Sequence, residues 1–204
     1  MFYRIGNLVL RSPYSIRRPQ KGDDCLILKT RRSFPPAHPS TKAALTVLQR
    51  LEIKKGARIL DIGCGSGVLG LAAALKNGAV ALGCDISLAA IRASIKNAAV
   101  NGMEDSLHLF HGSVDAVKGR FQLILANLPA AVHAEMFDHY RRLTLPDESL
   151  LVVSGFCDVN TAEIENELAR RGFLVLERVI VEAWAAEITP EYTYTWLGLG
   201  LKRA

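Results

Sequence analysis

Apolar residues in this chain fall into short runs, and the spacing between them alternates between two periods. Arg58–Ile62, Val80–Cys84, Leu107–Phe110, Phe121–Ala126 and Leu150–Ser154 are brief, nearly continuous apolar runs, the pattern of parallel strands buried on both faces. Between and after them, Val68–Lys76, Ser87–Val100, Ala131–Leu143 and Val159–Arg171 place apolar residues at helical spacing. Asn77-Gly78 and Asn101-Gly102 read as helix stops, and Ser87 as a helix N-cap. Strand and helix in alternation predict a doubly wound sheet. Phe173–Ala183 and Tyr192–Leu201 are two further strands, joined by a loop containing Pro190 that leaves no room for a crossover helix. The last strand is therefore expected to be antiparallel. The predicted fold class is α/β, a seven-stranded, mostly parallel, Rossmann-like sheet with an antiparallel final strand.

Ahead of this unit the pattern is weaker. Ile5–Leu10 reads as a small strand or hairpin turning at Gly6-Asn7, and Cys25–Lys29 as a second short strand. Phe34–Pro39 is a turn-forming linker, after which Ser40 or Thr41 is expected to cap a helix running to about Leu51, with Ala44, Leu45, Val47, Leu48 and Leu51 facing inward. The reading divides the chain into a basic N-terminal appendage and linker over 1–39, too short for a core of its own, and a main domain over 40–204.

At 204 residues, half of them hydrophobic, the chain suits a single globular domain with a substantial core. No apolar run approaches the roughly 18 residues of a membrane helix, and the N-terminus lacks the apolar core of a signal peptide. Cys25, Cys64, Cys84 and Cys157 lack the CxxC spacing of a metal site or disulfide framework, so a reducing cytoplasmic setting and no metal are expected. The net charge of +5 is uneven: residues 1–42 hold nine Lys or Arg against Asp23 and Asp24, a balance of +7 that leaves −2 elsewhere. Such an arm suits an acidic partner such as RNA or a ribonucleoprotein, or is a solvated face.

The chemistry concentrates at Asp61-Ile62-Gly63-Cys64-Gly65-Ser66-Gly67. A buried strand ends in an acid and breaks into alternating glycines before a helix, so backbone can approach a ligand and the helix start can face it. Gly65–Gly70 formally fits the GxGxxG dinucleotide fingerprint, with Asp85 about 20 residues on. Asp61 argues otherwise. A dinucleotide site carries an apolar residue there, whereas S-adenosylmethionine (SAM) brings an amino-acid head group that gives a carboxylate a role. Under that reading Gly63, Gly65 and Gly67 underlie the methionine portion, Asp85 accepts the ribose hydroxyls, Gly112 and Ser113 meet the adenine, and Asn127 stands where a nucleophile approaches the methyl group. His133 is the nearest candidate base by sequence, against a structural role; an NAD(P) oxidoreductase is the remote alternative.

From His38 to about Val181 the chain resembles the PrmA family, bacterial methyltransferases that modify the large-subunit ribosomal protein numbered eleven. The resemblance rests on His38-Pro39-Ser40-Thr41, Ile59–Gly67, Gly83-Cys84-Asp85-Ile86, His111-Gly112-Ser113, and Ala126-Asn127-Leu128 followed by Val132-His133. It implies a class I methyltransferase fold and SAM as cofactor, with S-adenosylhomocysteine as product. It also implies Thr41, Gly63, Asp85 and Asn127 as cofactor contacts, with Ile86 beside Asp85, and transfer to a lysine or α-amine of a protein, possibly ribosomal. The family's separate N-terminal recognition domain is not expected here, because only about forty residues, basic on balance, precede the helix. Asn127-Leu128-Pro129-Ala130 partly echoes the Asn-Pro-Pro-aromatic motif of base and glutamine methyltransferases, but Ala130 replaces the stacking aromatic, which disfavours a planar target. RNA or small-molecule methylation and a non-catalytic SAM-binding scaffold are the rival readings.

Overall fold

The computed structural model describes residues 1–29, 38–183 and 194–204. Residues 34–37 of the expected linker, the loop containing Pro190, and Arg31 and Arg32 of the basic arm lie outside these residues. Ten strands and five α-helices follow in order: β1 (Phe2–Ile5), β2 (Leu8–Arg11), β3 (Asp24–Ile27), α1 (Pro39–Arg50), β4 (Ile59–Ile62), α2 (Val68–Asn77), β5 (Ala81–Asp85), α3 (Leu88–Asn101), β6 (Leu107–His111), β7 (Leu123–Asn127), α4 (Ala130–Leu143), β8 (Leu150–Cys157), α5 (Thr161–Arg170), β9 (Phe173–Ala183) and β10 (Tyr194–Arg203).

Seven strands form the main sheet in the order β6-β5-β4-β7-β8-β10-β9. β4 to β8 pair in parallel, while β10 runs antiparallel to both β8 and β9, as the short final connection requires. The chain winds outward from β4 to β6 and returns to β7 beside β4, which makes the β4/β7 boundary the switch point where a ligand crevice opens.

Side-chain alternation divides the interior in two. Ile59, Leu123, Leu125 and Val152 join α1 and α2 on one face of the sheet. Leu60, Ile124, Ala126, Leu151 and Val153 join α4 and α5 on the other. By the same period of two, Asp61 and Asn127 fall on the α1/α2 face. Both faces are covered, which explains why these strands read as continuous apolar runs.

The N-terminal residues form a three-stranded sheet in which β1 and β2 are a hairpin turning at Gly6-Asn7 and β3 pairs with β2 in parallel. Leu8, Leu10, Leu26 and Leu28 are buried in the same cluster as α1 and β4. Two asparagines of α3 hold this sheet in place. Asn101 exchanges hydrogen bonds with the Ile27 backbone in both directions, at 2.8 Å each, and Asn97 Oδ1 accepts from Lys29 N at 2.8 Å.

Helix ends follow their punctuation with one exception. Gly78 and Gly102 close α2 and α3 in the left-handed conformation, and Ser87 caps α3. The N-cap of α1 is His38, whose ring accepts from Ser40 N, rather than Ser40 or Thr41. Pro39, which has no N–H to satisfy, takes the first helical position, and Ser40 and Thr41 are buried inside the helix. At the other end of α1, Lys76 Nζ donates to the carbonyls of Leu48, Gln49 and Leu51 at 2.8–2.9 Å, covering acceptors that a helix terminus leaves open.

Candidate active site

The turn from β4 into α2 is held from three sides. Gly63, Gly65 and Gly67 all have positive φ, which a side chain would resist. At Gly63 the need is also one of space, because a Cβ would lie 2.5 Å from Leu128 Cδ2. Ser94 and Asn97 of α3 donate to the carbonyls of Gly65 and Ser66, both at 2.9 Å. From β5, Asp85 Oδ2 accepts from Gly65 N at 2.9 Å and Oδ1 from Ser87 N at 2.8 Å.

Beneath the loop, Asp61 Oδ2 accepts from Gly70 N at 2.9 Å. The carboxyl thus meets one of the open N–H groups in the first turn of α2. Asp61 is 1% exposed, and burial pushes its pKa up to about 7, helped by the Asp85 charge and opposed by the Gly70 hydrogen bond. Asn127 stands across from it at the end of β7. Its Nδ2 donates to Thr41 Oγ1 at 3.2 Å, while its Oδ1 is buried without a hydrogen-bond partner among the described residues. A buried amide oxygen left unpaired costs about 1–3 kcal/mol; an incoming donor would relieve that cost.

Two spaces that share Gly63, Gly65 and Asn127 in their linings open here. A cleft of about 460 Å³ is lined by Ser40, Gly63, Gly65, Asp85, Ser87, Asn127, Leu128, Pro129, Gly155 and Trp196, among others. A recess of about 50 Å³ adjoins it, walled by Thr41, Asp61, Gly63 to Ser66 and Asn127. Among the described residues, neither lining contains a lysine or arginine, and each contains an aspartate. A dinucleotide's pyrophosphate would meet like charge from these aspartates, whereas a ligand with a cationic end would meet complementary charge. The residues present therefore fit SAM, whose ammonium and sulfonium are positive, better than NAD(P).

Thr41, Asp61, Gly63, Gly65, Asp85 and Asn127 thus line one or both spaces. Gly67 caps α2 behind the loop. Ile86 is 80% exposed next to Asp85, and its carbonyl lies 3.0 Å from His111 Nε2. Gly112 N donates to the Asp85 carbonyl at 3.0 Å, tying the ends of β5 and β6 together. The Ser113 hydroxyl donates to Asp115 and caps a short turn; neither Gly112 nor Ser113 lines the cleft.

His133 is not placed as a base. It is buried, with Nε2 2.9 Å from the Ser154 carbonyl and Nδ1 2.8 Å from the Tyr140 hydroxyl. Burial lowers its pKa to about 4, so the ring is neutral. Nε2 then donates to the carbonyl and Nδ1 accepts from the phenol, a structural tie between α4 and β8. Ser40 and Leu128 lie within the motifs that carry the family resemblance, which implies no site role for them, and Gly155 and Trp196 carry no sequence signal that marks them as cleft residues. Trp196 meets His38 edge-on at 4.4 Å, and Gly155, with φ +100°, lets the Leu128 backbone approach where a Cβ would lie 2.2 Å from its carbonyl oxygen.

The sheet order with its antiparallel β10, together with an acidic glycine loop at the switch point, defines the class I methyltransferase fold. A neighbour of that fold is a SAM-dependent methyltransferase from Geobacter sulfurreducens in complex with S-adenosyl-L-homocysteine, with a TM-score of 0.66 at 17% identity over 82% of this chain and 95% of that one. The family can be named more closely. Residues 35–190 match the model of ribosomal protein L11 methyltransferase (PrmA), and the chain belongs to that family. It is 28% identical to a ribosomal protein L11 methyltransferase of Thermotoga petrophila over 147 residues, which are 72% of this chain and 54% of that protein. The chain spans about half the length of the curated relatives it matches. The solved ribosomal protein L11 methylase of Lactobacillus delbrueckii subsp. bulgaricus superposes with a TM-score of 0.81 at 26% identity, covering 99% of this chain and 98% of that one.

Proposed function

We propose that this chain is a cytoplasmic SAM-dependent N-methyltransferase acting on a protein amine, a lysine or α-amine of a ribosomal protein. The observation that carries the reading is the Asn127 carbonyl oxygen, buried and unpaired where the cleft meets the recess. SAM, when bound, supplies a methyl group made electrophilic by its sulfonium. Gly63 and Gly65 allow close backbone approach, Asp85 has lone pairs left for ribose hydroxyls beyond its two N–H partners, and Asp61 and Thr41 face the amino-acid end.

The protein's part in transfer is positioning. Thr41 holds the Asn127 amide by its NH₂ group, leaving the oxygen to accept an N–H of the incoming amine and fix its lone pair in line. Leu128, Pro129 and Trp196 desolvate that amine, which favours its neutral, nucleophilic form. Family membership supports the protein substrate. The uneven charge of the first 42 residues supports an added contact with RNA or a ribonucleoprotein, although Arg4 is already paired with Asp23 at 2.5 Å.

The test is transfer of label from methyl-labelled SAM into a lysate of the host lacking the gene, with Asn127→Ala alongside and SAM binding measured separately. Label in one protein band, lost in the variant while SAM still binds, is the expected result. Label in RNA or a metabolite overturns the substrate class, and absence of label despite SAM binding overturns the enzyme reading.

A further inference from the structure

A second cleft, also about 460 Å³, lies at the opposite edge of the sheet, where β7 and β8 begin and β10 ends. With β7 five residues long, the two edges are about 15–20 Å apart. Arg120, Arg141, Arg142 and Arg203 line it, with Asp138 the one acid among the described lining residues. That carboxylate is already engaged, since Asp138 Oδ1 accepts from Arg171 Nε at 2.8 Å.

Two of the four arginines are held in position. Arg142 donates to the Val117 carbonyl at 2.9 Å. Arg203 lies over the Phe173 ring at 5.4 Å and donates to the Arg171 carbonyl. Arg120 and Arg141 are exposed and make no ion pair among the described residues. Burial, with the charges of Arg141 and Arg120, pulls the Arg203 pKa below its usual value, against a smaller opposing pull from Asp147. Guanidinium groups crowded against one another around a concavity cost energy that a bound anion would return, and their planar forks match the oxygens of a phosphate.

We propose that this cleft binds a phosphate group, either free or as a phosphodiester of a nucleic acid. The site is independent of the methyltransferase reading, because it shares no residue with the cofactor cleft.

Inorganic phosphate titrated into the full chain at constant ionic strength, with chloride as the balancing anion and ³¹P line width as the readout, is expected to bind saturably. The double variant Arg120→Ala/Arg141→Ala should weaken it about tenfold, as loss of charge-assisted hydrogen bonds implies, while SAM affinity stays unchanged. A labelled RNA hairpin then identifies the source. If RNA affinity falls in the double variant and the logarithmic salt slope drops by about one, the ligand is a phosphodiester; if only inorganic phosphate is affected, it is free phosphate. No phosphate binding beyond that of chloride, or equal binding by the variant, overturns the proposal.

Discussion

Asp61→Asn removes a titrating proton from the floor of the candidate site while keeping an oxygen for the Gly70 N–H. The carboxyl is raised from 3.8 to about 7 by burial, and every tenfold change in proton affinity is worth about 1.4 kcal/mol. The difference between folded and unfolded states is therefore on the order of 4 kcal/mol. The folded state holds this proton more tightly than the unfolded chain does. Stability from the protonated group is thus fully present below about pH 4 and is lost as pH rises to about 7. Asparagine does not titrate, and other groups cancel in the comparison. Urea unfolding followed by far-UV circular dichroism should show the ligand-free wild type losing about 4 kcal/mol relative to Asp61→Asn between about pH 4 and pH 8. A cationic ligand in the recess favours the ionised form, so SAM affinity of the wild type should rise over the same window and that of the variant should stay flat. Parallel stability curves would refute the buried-acid assignment.

Asp85→Ala should weaken SAM binding by roughly 1.5–3 kcal/mol, the worth of a charge-assisted hydrogen bond; isothermal titration would show this, and an unchanged affinity would remove Asp85 from the site. Gly155→Ala should cost more than about 3 kcal/mol, since its Cβ would meet the Leu128 carbonyl oxygen at 2.2 Å; a melting temperature close to wild type would contradict the close packing. Asn97→Ala leaves the Lys29 N–H and the Ser66 carbonyl without their partner and should destabilise the fold by about 1–3 kcal/mol. Hydrogen exchange should quicken both in 25–29 and in the glycine loop, and a change confined to one of them would show that the two are not coupled.

What could be read from the chain alone was whatever is written locally. Glycine after asparagine ended helices at Gly78 and Gly102, and Ser87 began one, because caps are decided within a few residues. Asp61 stood out because an acid at the end of an apolar strand is costly without a purpose. The missed features depend on contacts between distant residues. The Ser154 hydroxyl donates to the Ser40 carbonyl 114 positions away, and that join brings α1 and Trp196 to the cleft wall. His133 has the look of a base in the sequence, and only the fold reveals that Ser154 and Tyr140 occupy both its nitrogens. β8 runs on to Cys157 instead of stopping at Ser154, because β10 continues to pair with it, around an irregularity between Leu197 and Gly198.

The position of β10 bears on how the protein is made. It enters the sheet between β8 and β9 and hydrogen-bonds both. During synthesis, therefore, β8 and β9 wait with open edges until residues 194–203 have been added. Leu151 and Val153 of β8 are fully buried in the finished interior, and an open apolar edge is the kind that pairs with other chains. A ribosome stalled within that stretch would hold the sheet with both edges open, since β10 is the strand that joins β8 to β9.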